Sequence, residues 1–375
     1  MENDIMCSNS LTCRNCCLEQ HPNELYGCYD QKLLERFFVD LVKKNETKQF
    51  DIRGLQNAEW EKRDKYMNLK LSDDGDGNSI SKFDLELDFT KDLIDLPIFQ
   101  SCIEACKSAN MACAISAMCR GSQVNFTEHR MALHCALRDT SNPPLLNAKN
   151  LLQINSNVKN VLDRLTKFVF EVRSGKCGSV FGSQRQKFEY IVSIGIGGSD
   201  LGSKMVCRAL EPWREGGSSI KKCLFVSNVD PTDIFTVLNQ VKLEKTLFIV
   251  CSKTFTTRET LMNAKLAKAK IMEHYREKMQ KEAIGDDLLD QAIGSHFCAV
   301  STNLEETRKF GIADDRVFEF WDWVGGRFSL WSSIGLPIML YLGMDNFKEL
   351  SKGANCIDRH FFCTEDLSKN KPILI

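Results

Sequence analysis

The stretch Thr246–Ala264 reads T-L-F-I-V-C-S-K-T-F-T-T-R-E-T-L-M-N-A. Leu247 to Val250 has the length and branching of a strand buried on both faces, and it ends at once in Ser252, Lys253, Thr254, Thr256 and Thr257. Leu261, Met262, Ala264, Leu266, Ala267 and Ala269 then turn the composition helical, and Thr256 with Glu259 three residues on predicts a capping-box start. A strand that empties through hydroxyls and one ammonium into a helix brings those groups to the free N–H donors and partial positive charge of a helix N-terminus. Such a volume suits a phosphate: the helix end and Lys253 supply charge, and the hydroxyls supply orientable hydrogen bonds. The competing reading is an ordinary N-cap in a polar loop with a solvated lysine. Four hydroxyls around Lys253 favour the anion site.

Outward from this stretch, helix and strand alternate. A helix is predicted over Val158–Val172, a strand over Tyr190–Ile194, a glycine-rich loop, and a helix over Leu201–Leu210. A strand over Cys223–Val226 follows, then a helix opened by Pro231 and running over Asp233–Val241, and later a strand over Phe297–Val300 with Thr302 and Glu305 as a second capping box. The charged run Tyr275–Gln291 reads as a surface helix. Alternation at these spacings predicts a parallel sheet covered by helices on both faces, with ligands at the carboxyl ends of the strands. Three polar exits therefore face one edge: Gly195–Asp200, Ser227–Asp230 and Cys251–Thr257.

The first exit, G-I-G-G-S-D, is not a dinucleotide fingerprint. Asp200 stands where the third glycine is required, and no carboxylate closes the next strand. A nicotinamide enzyme is thereby disfavoured. Consecutive glycines still allow close approach of backbone to a ligand, and Ser199 is suited to cap the next helix while touching that ligand. Further on, F-E-F-W-D-W-V-G-G-R-F-S-L-W-S-S-I-G at Phe318–Gly335 puts two glycines before Arg327 among six aromatic residues. A guanidinium so enclosed requires an anionic partner. Glu319 or Asp322 would be a structural partner and a substrate oxyanion a functional one, and spacing does not decide between them.

Residues 1 to about 150 read as mostly helical. Gln31–Lys44 carries an apolar face at helical spacing, Asp84–Phe89 alternates as a short strand, and a long helical region runs from Leu93 to Arg120. Thr127 and Arg130 start a further helix over Met131–Leu137, with His134 as a core histidine. Ser141-Asn142-Pro143-Pro144 marks the approach to a domain boundary. Ser72–Ser81 resembles a calcium loop, but no register puts Gly sixth and a carboxylate twelfth, so it reads as an acidic surface turn.

At 375 residues, 43% of them apolar, the chain can build two cores of ordinary size. A net charge of −1 offers no overall field for nucleic acid or an acidic membrane, so an anionic ligand must be caught locally. Neither a signal-peptide core nor an apolar run long enough to span a bilayer is present, and the expected address is the cytosol. The 17 cysteines, five of them (Cys7, Cys13, Cys16, Cys17 and Cys28) in the first thirty residues, then read as small apolar residues of a reducing compartment. Cys13 and Cys16 form a single C-x-x-C without a matched second pair, so no metal is expected. The two N-x-T sequons, at Asn45 and Asn125, carry no meaning in the cytosol.

S-I-G-I-G-G-S-D-L-G at Ser193–Gly202, S-K-T-F-T-T-R-E-T at Ser252–Thr260 and the Arg327 motif at Phe318–Ser332 resemble the glucose-6-phosphate isomerase family, in order and at suitable separations. N-F-T-E-H-R-M-A-L-H-C-A-L-R at Asn125–Arg138 and H-F-C-A-V-S-T-N at His296–Asn303 are similar to further segments of it. The resemblance runs from about Phe83 to Ile375. It implies an α/β fold of the sugar-isomerase (SIS) type, a three-layer sandwich with a parallel sheet, in a two-domain architecture whose second domain is incomplete here. Residues 1–155 would be a mostly helical part of the large domain, 156–342 the small SIS-type domain, and 343–375 the start of the large SIS domain.

The resemblance also implies aldose-ketose isomerisation of glucose 6-phosphate and fructose 6-phosphate through a cis-enediolate, in glycolysis and gluconeogenesis. A homodimer without metal or cofactor is expected, binding a small-molecule sugar phosphate and neither nucleic acid nor membrane. By matching positions, Ser252, Lys253, Thr254, Phe255, Thr256 and Thr257 would hold the phosphate, Gly198 and Ser199 would line the substrate, and Arg327 would stabilise the enediolate, which favours the substrate as its partner. Two departures stand out. The family's F-[DN]-Q-x-G-V-E-x-x-K glutamate motif, and its histidine and lysine motifs, do not occur, so the isolated chain is expected to lack the base, and Pro372 reads as the first position of a buried element that stops at Ile375. Pro231-Thr232-Asp233 stands where the family usually has a histidine third. The alternative reading is a non-catalytic SIS module that binds sugar phosphates.

Overall fold

The computed structural model describes residues 87, 96–140, 144–147, 150–181, 184–282 and 287–375. The expectations for residues 31–44, 72–81 and the first five cysteines lie outside these, as does the strand at 84–89 apart from Leu87. The elements are α1 (Leu96–Ser108), α2 (Met111–Cys119), α3 (Leu151–Arg173), β1 (Gly178–Phe181), β2 (Gln184–Lys187), β3 (Tyr190–Ile194), α4 (Leu201–Ala209), β4 (Lys222–Val226) and α5 (Pro231–Leu238). They continue with β5 (Thr246–Cys251), α6 (Arg258–Glu282), α7 (Asp287–Ser295), β6 (Phe297–Val300), α8 (Leu304–Phe310), β7 (Val317–Phe318), α9 (Leu336–Tyr341), α10 (Met344–Cys363) and α11 (Lys371–Leu374).

Two compact units are present. One comprises Met1–His129, Ser141–Lys149 and Asn355–Ile375, and the other Arg130–Thr140 and Asn150–Ala354. In the first unit the predicted helical region is broken at Asn110, which takes a left-handed conformation (φ 58°) between α1 and α2. Asparagine accepts that conformation more readily than most residues. The same unit is tied by Asn370, whose amide donates to the carbonyls of Phe361 at 2.8 Å and Thr364 at 3.1 Å.

The second unit is built on a five-stranded sheet of order β4-β3-β5-β6-β7, parallel throughout. β5 lies at its centre, paired with β3 (Ile194 opposite Val250) and with β6 (Cys251 opposite Val300), and all six of its residues are buried. That burial explains why the strand reads as a continuous apolar run rather than an alternating one. On one face, Val192, Ile194, Phe248 and Val250 pack against Ile234 of α5 and the stripe Ala264, Ala267, Ile271 and Tyr275 of α6. α9 packs on β3 and β4, and α3 on β7. Each large side chain so enclosed contributes about 1.5–3 kcal/mol, which anchors the strand ends where the polar loops begin.

Several boundaries differ from the sequence reading, each for a local or tertiary reason. Met131–Leu137 forms a single 3-10 turn at His134–Leu137 rather than a helix, because Leu133 N–H donates to the Trp323 carbonyl at 3.2 Å. Tyr275 is not on a surface helix but 1% exposed, since it continues the apolar stripe of α6 onto the sheet. Helix α8 is capped by Asn303, whose side chain accepts from Glu306 N–H at 3.1 Å, and not by Thr302. The hairpin β1–β2 has no counterpart in the predicted elements, because the four residues of β2 are exposed and carry no apolar signal. Among the described residues no helix is long and apolar enough to cross a membrane.

Candidate functional site

Because the strands are parallel, the loops after β3, β4, β5, β6 and β7 emerge at one edge. The loop after β5 is a tight turn. Ser252 N–H donates to the Val300 carbonyl at 3.1 Å, and Phe255 N–H returns to the Ser252 carbonyl at 3.2 Å. Phe255 sits at φ 54°, an unfavourable conformation for a bulky L-residue. Its ring offsets that strain by burial against Phe310, with centroids 5.8 Å apart. The phosphate expectation for Phe255 therefore reduces to its backbone, for its side chain belongs to the core.

The turn leaves Thr254, Thr256 and Thr257 exposed, with Ser252 buried beneath them. Ser252 Oγ donates to Thr257 Oγ1 at 3.2 Å, and the Thr254 and Thr256 hydroxyls lie 2.6 Å apart. Thr256 is not the N-cap: α6 starts at Arg258, which puts Thr257 in the cap position, and the Thr257 carbonyl accepts Leu261 N–H at 3.0 Å. Composition alone could not separate adjacent threonines. The hydroxyls and the first turn of α6 nevertheless share one volume, as the strand-to-helix pattern requires.

The loop after β6 clamps this turn. The Lys253 carbonyl accepts from Thr302 N–H at 2.9 Å, Thr302 Oγ1 at 2.8 Å and Ser301 Oγ at 3.0 Å. Asn303 Nδ2 donates to the Thr254 carbonyl at 3.0 Å. Ser301, Thr302 and Asn303 were not among the candidate residues. Their signal was the rule that polar strand exits of one parallel sheet converge, applied to β6 as well as to β3, β4 and β5.

Lys253 Nζ reaches across to the loop after β7. It donates to the Val324 carbonyl at 3.2 Å, pairs with Asp322 Oδ1 at 3.0 Å, and lies 5.6 Å from the centre of the Phe320 ring. The lysine hydrogen bond holds the Asp322 carboxyl below the usual carboxylate range. The same loop carries Gly326 at φ 54°. A Cβ on Gly198 would stand 2.4 Å from the Gly326 carbonyl oxygen, so the absence of a side chain is what lets the two loops touch.

Arg327 follows that contact, in the 3-10 turn Gly326–Trp331. The expected aromatic enclosure is not found: Phe318, Phe320 and Trp323 are buried beneath the turn, while Arg327 itself is exposed. The two carboxylates weighed as partners are engaged elsewhere, Glu319 with Arg164 at 3.4 Å and Asp322 with Lys253. Beside it, Phe328 stacks on the half-buried His134, with centroids 4.1 Å apart. The His134 Nδ1 accepts from the Arg138 guanidinium at 3.1 Å. Burial, with the Arg138 charge second, pushes the imidazole down to about 4.

In the glycine-rich loop, Ser199 does not cap α4. Asp200 occupies the N-cap position without a side-chain cap bond, and Ser199 N–H closes the turn onto the Ile196 carbonyl at 3.1 Å. Asp200 is buried, and burial raises its carboxyl above the ordinary range. Asp233 on α5 accepts from Ser227 N–H at 2.9 Å and Asn228 N–H at 3.0 Å, which pins the loop after β4. Among the described residues no group of three or more His, Cys, Asp or Glu is arranged around a common metal position.

The profile of the family described as phosphoglucose isomerase matches residues 88–375. The glucose-6-phosphate isomerase of Methylococcus capsulatus is 42% identical over 298 residues, which are 79% of this chain and 50% of that protein. That of Francisella tularensis is 39% identical over 318 residues, 84% of this chain and 55% of that protein. The chain spans about half the length of the curated relatives it matches. A crystal structure of a glucose-6-phosphate isomerase from Chlamydia trachomatis superposes with a TM-score of 0.57 at 28% identity, covering 75% of this chain and 49% of that one. The parallel sheet, its strand-end loops and a family profile spanning residues 88–375 agree: this chain belongs to the phosphoglucose isomerase family.

Proposed function

We propose that the carboxyl edge of this sheet binds the phosphate of a sugar phosphate and stabilises the enediolate of an aldose-ketose isomerisation between glucose 6-phosphate and fructose 6-phosphate. Ser252, Lys253, Thr254, Thr256 and Thr257, with the backbone of Phe255 and the N-terminus of α6, take the phosphate. Gly198 and Ser199 line the sugar. As a proton moves between C1 and C2, negative charge develops on the carbonyl oxygen, and Arg327 meets it with a guanidinium engaged by neither neighbouring carboxylate. The observation that carries the reading is the close approach of Gly198 to Gly326, which sets the substrate-lining loop against the arginine turn.

Glu259, the carboxylate nearest in sequence to the phosphate loop, is exposed on the first turn of α6 and no geometry aims it at the sugar. Residues 156–342 form the small SIS-type domain in this reading, with 1–155 and 343–375 in the larger one, and the complete isomerase is a cytosolic homodimer.

The test is a coupled assay of the 375-residue chain with calorimetric binding of glucose 6-phosphate on the same sample. Binding without turnover is the result expected of a phosphate cradle without its base. Turnover would place the base within these residues. Lys253→Ala should abolish binding, and an unchanged affinity would remove the phosphate assignment.

A further inference from the structure

The phosphate-loop lysine already has an anion on it. Asp322 Oδ1 lies 3.0 Å from Lys253 Nζ, and the two side chains differ in setting: Lys253 is 24% exposed and Asp322 71%. The carboxylate thus covers the ammonium from the solvent side, where an incoming ligand arrives. Its position is built rather than incidental. Trp321 and Trp323, on either side of it, stack with centroids 4.9 Å apart and planes within 6°. Val324 N–H closes the turn onto the Trp321 carbonyl at 3.1 Å, and Leu133 N–H holds the Trp323 carbonyl.

Arg130 Nη1 lies 3.9 Å from the same Asp322 oxygen, so the carboxylate stands between two cations. Behind the turn, Trp321 lines a cavity of about 190 Å³ among Val161, Leu165, Trp331 and Met339, so the turn is not packed solid on that side.

We propose that Asp322 is a specificity-determining residue: a resident carboxylate on Lys253 that admits dianionic phosphate esters and turns away monoanions of the same shape. The proposal rests on the phosphate reading of Ser252–Thr257 and deepens it. The physical reason is exchange. A monoanion that displaces Asp322 from Lys253 replaces one unit of negative charge by another and gains nothing at the ammonium. A phosphate ester, with its second ionisation near pH 6, brings about two charges at pH 7.5 and three strong acceptor oxygens, so it outcompetes the carboxylate. Because the exchange takes place at a partly exposed site, the discrimination it supplies is on the order of tenfold rather than many decades.

The experiment compares glucose 6-phosphate with glucose 6-sulfate, its monoanionic isostere, by calorimetry at pH 7.5 on the whole chain and on Asp322→Asn, Asp322→Glu and Lys253→Ala. The wild-type chain should prefer the phosphate by about tenfold or more. Asp322→Asn keeps the shape and removes the charge; it should tighten the sulfate more than the phosphate and reduce the preference severalfold. Asp322→Glu should restore it, which a merely structural aspartate would not do. An unchanged ratio in Asp322→Asn, or weaker binding of both esters, overturns the inference. Binding that Lys253→Ala leaves intact, or no binding of either ester by wild type and Asp322→Asn, removes the phosphate reading and the inference together. Loss of binding in Lys253→Ala with an unchanged ratio in Asp322→Asn removes the inference alone. Thermal unfolding of each variant identifies any failure to fold, and Asp322, being exposed, tolerates the exchange to Asn.

Discussion

The two ends of the parallel sheet handle charge in opposite ways. At the amino end, Glu189 sits between Lys221 at 2.7 Å and Lys245 at 2.8 Å, and those two bonds hold its carboxyl below the ordinary range. His296, fully buried there, has its Nδ1 2.7 Å from the Thr246 carbonyl and its Nε2 2.8 Å from the Tyr275 hydroxyl. A carbonyl only accepts, so Nδ1 donates and Nε2 accepts from the tyrosine. At the carboxyl end the hydroxyls of Thr254, Thr256 and Thr257 and the guanidinium of Arg327 are exposed, and the Lys253 ammonium is shared between the Val324 carbonyl and an exposed carboxylate. One end closes its polar groups on each other; the other holds them out on a rigid frame. The difference teaches that the same strands can close one end of a sheet on itself while presenting polar groups at the other.

Arg327→Lys tests the presenting end most severely. A point charge cannot reproduce the guanidinium fork, so turnover of the complete isomerase should fall by about a hundredfold or more with a smaller change in KM. Equal losses in both would make Arg327 a ground-state ligand instead.

Gly198→Ala comes next. Its Cβ would collide with the Gly326 carbonyl, and the loops must separate, at a loss of up to about 3 kcal/mol in denaturant unfolding and with weaker phosphate-ester binding. Full stability and full affinity together would show that the contact between the loops is dispensable.

The closed end should reveal itself in acid. Burial lowers His296 to about 4, against an ordinary value of 6.5, so as pH falls the unfolded chain takes up the proton first. Stability should therefore be lost progressively from about pH 6.5 to 4, by about 2 kcal/mol between pH 6.5 and 5. His296→Asn, less stable throughout, should show a flatter dependence over that range. An unchanged slope would shift the acid sensitivity to His134, which has a similarly lowered value.

Glu189→Gln should have the smallest effect. Its depressed carboxyl contributes stability that is present above the ordinary carboxylate range and lost as pH falls through it. The Tm difference from wild type should be slight at pH 7, reduced by salt, and shrink as pH falls below the ordinary carboxylate range. A large difference would mean that the amino end depends on this cluster more than a partly exposed ion-pair cluster usually allows.

The sheet was legible where the signal is local. Leu247–Val250, Tyr190–Ile194 and Phe297–Val300 are short apolar runs between polar exits, and all three are strands at or within a residue of the predicted limits. Caps were legible only to within a residue or two, because neighbouring Thr256 and Thr257, or Thr302 and Asn303, offer equivalent side-chain acceptors. The enclosure expected for Arg327 failed for a different reason. Aromatic residues in sequence around a charge do not say where they pack, and here Phe318, Phe320 and Trp323 are buried while Phe328 stands exposed beside Arg327.

Sequence by itself determined the central strands β3 to β6 and the alternation of helices between them, the common edge of their exits and the chemical character of the loop after β5, because these follow from burial patterns and chain connectivity that operate over a few residues. Only the tertiary structure decided that Ser301, Thr302 and Asn303 clamp that loop, that Gly198 meets Gly326, that Tyr275 serves His296, and that Asp322 rests on Lys253. Each of these joins residues separated by 21 to 128 positions, and no local propensity encodes such a pairing. They form because the strand register brings distant loops to one edge, where the geometry of close approach, rather than composition, selects the partners.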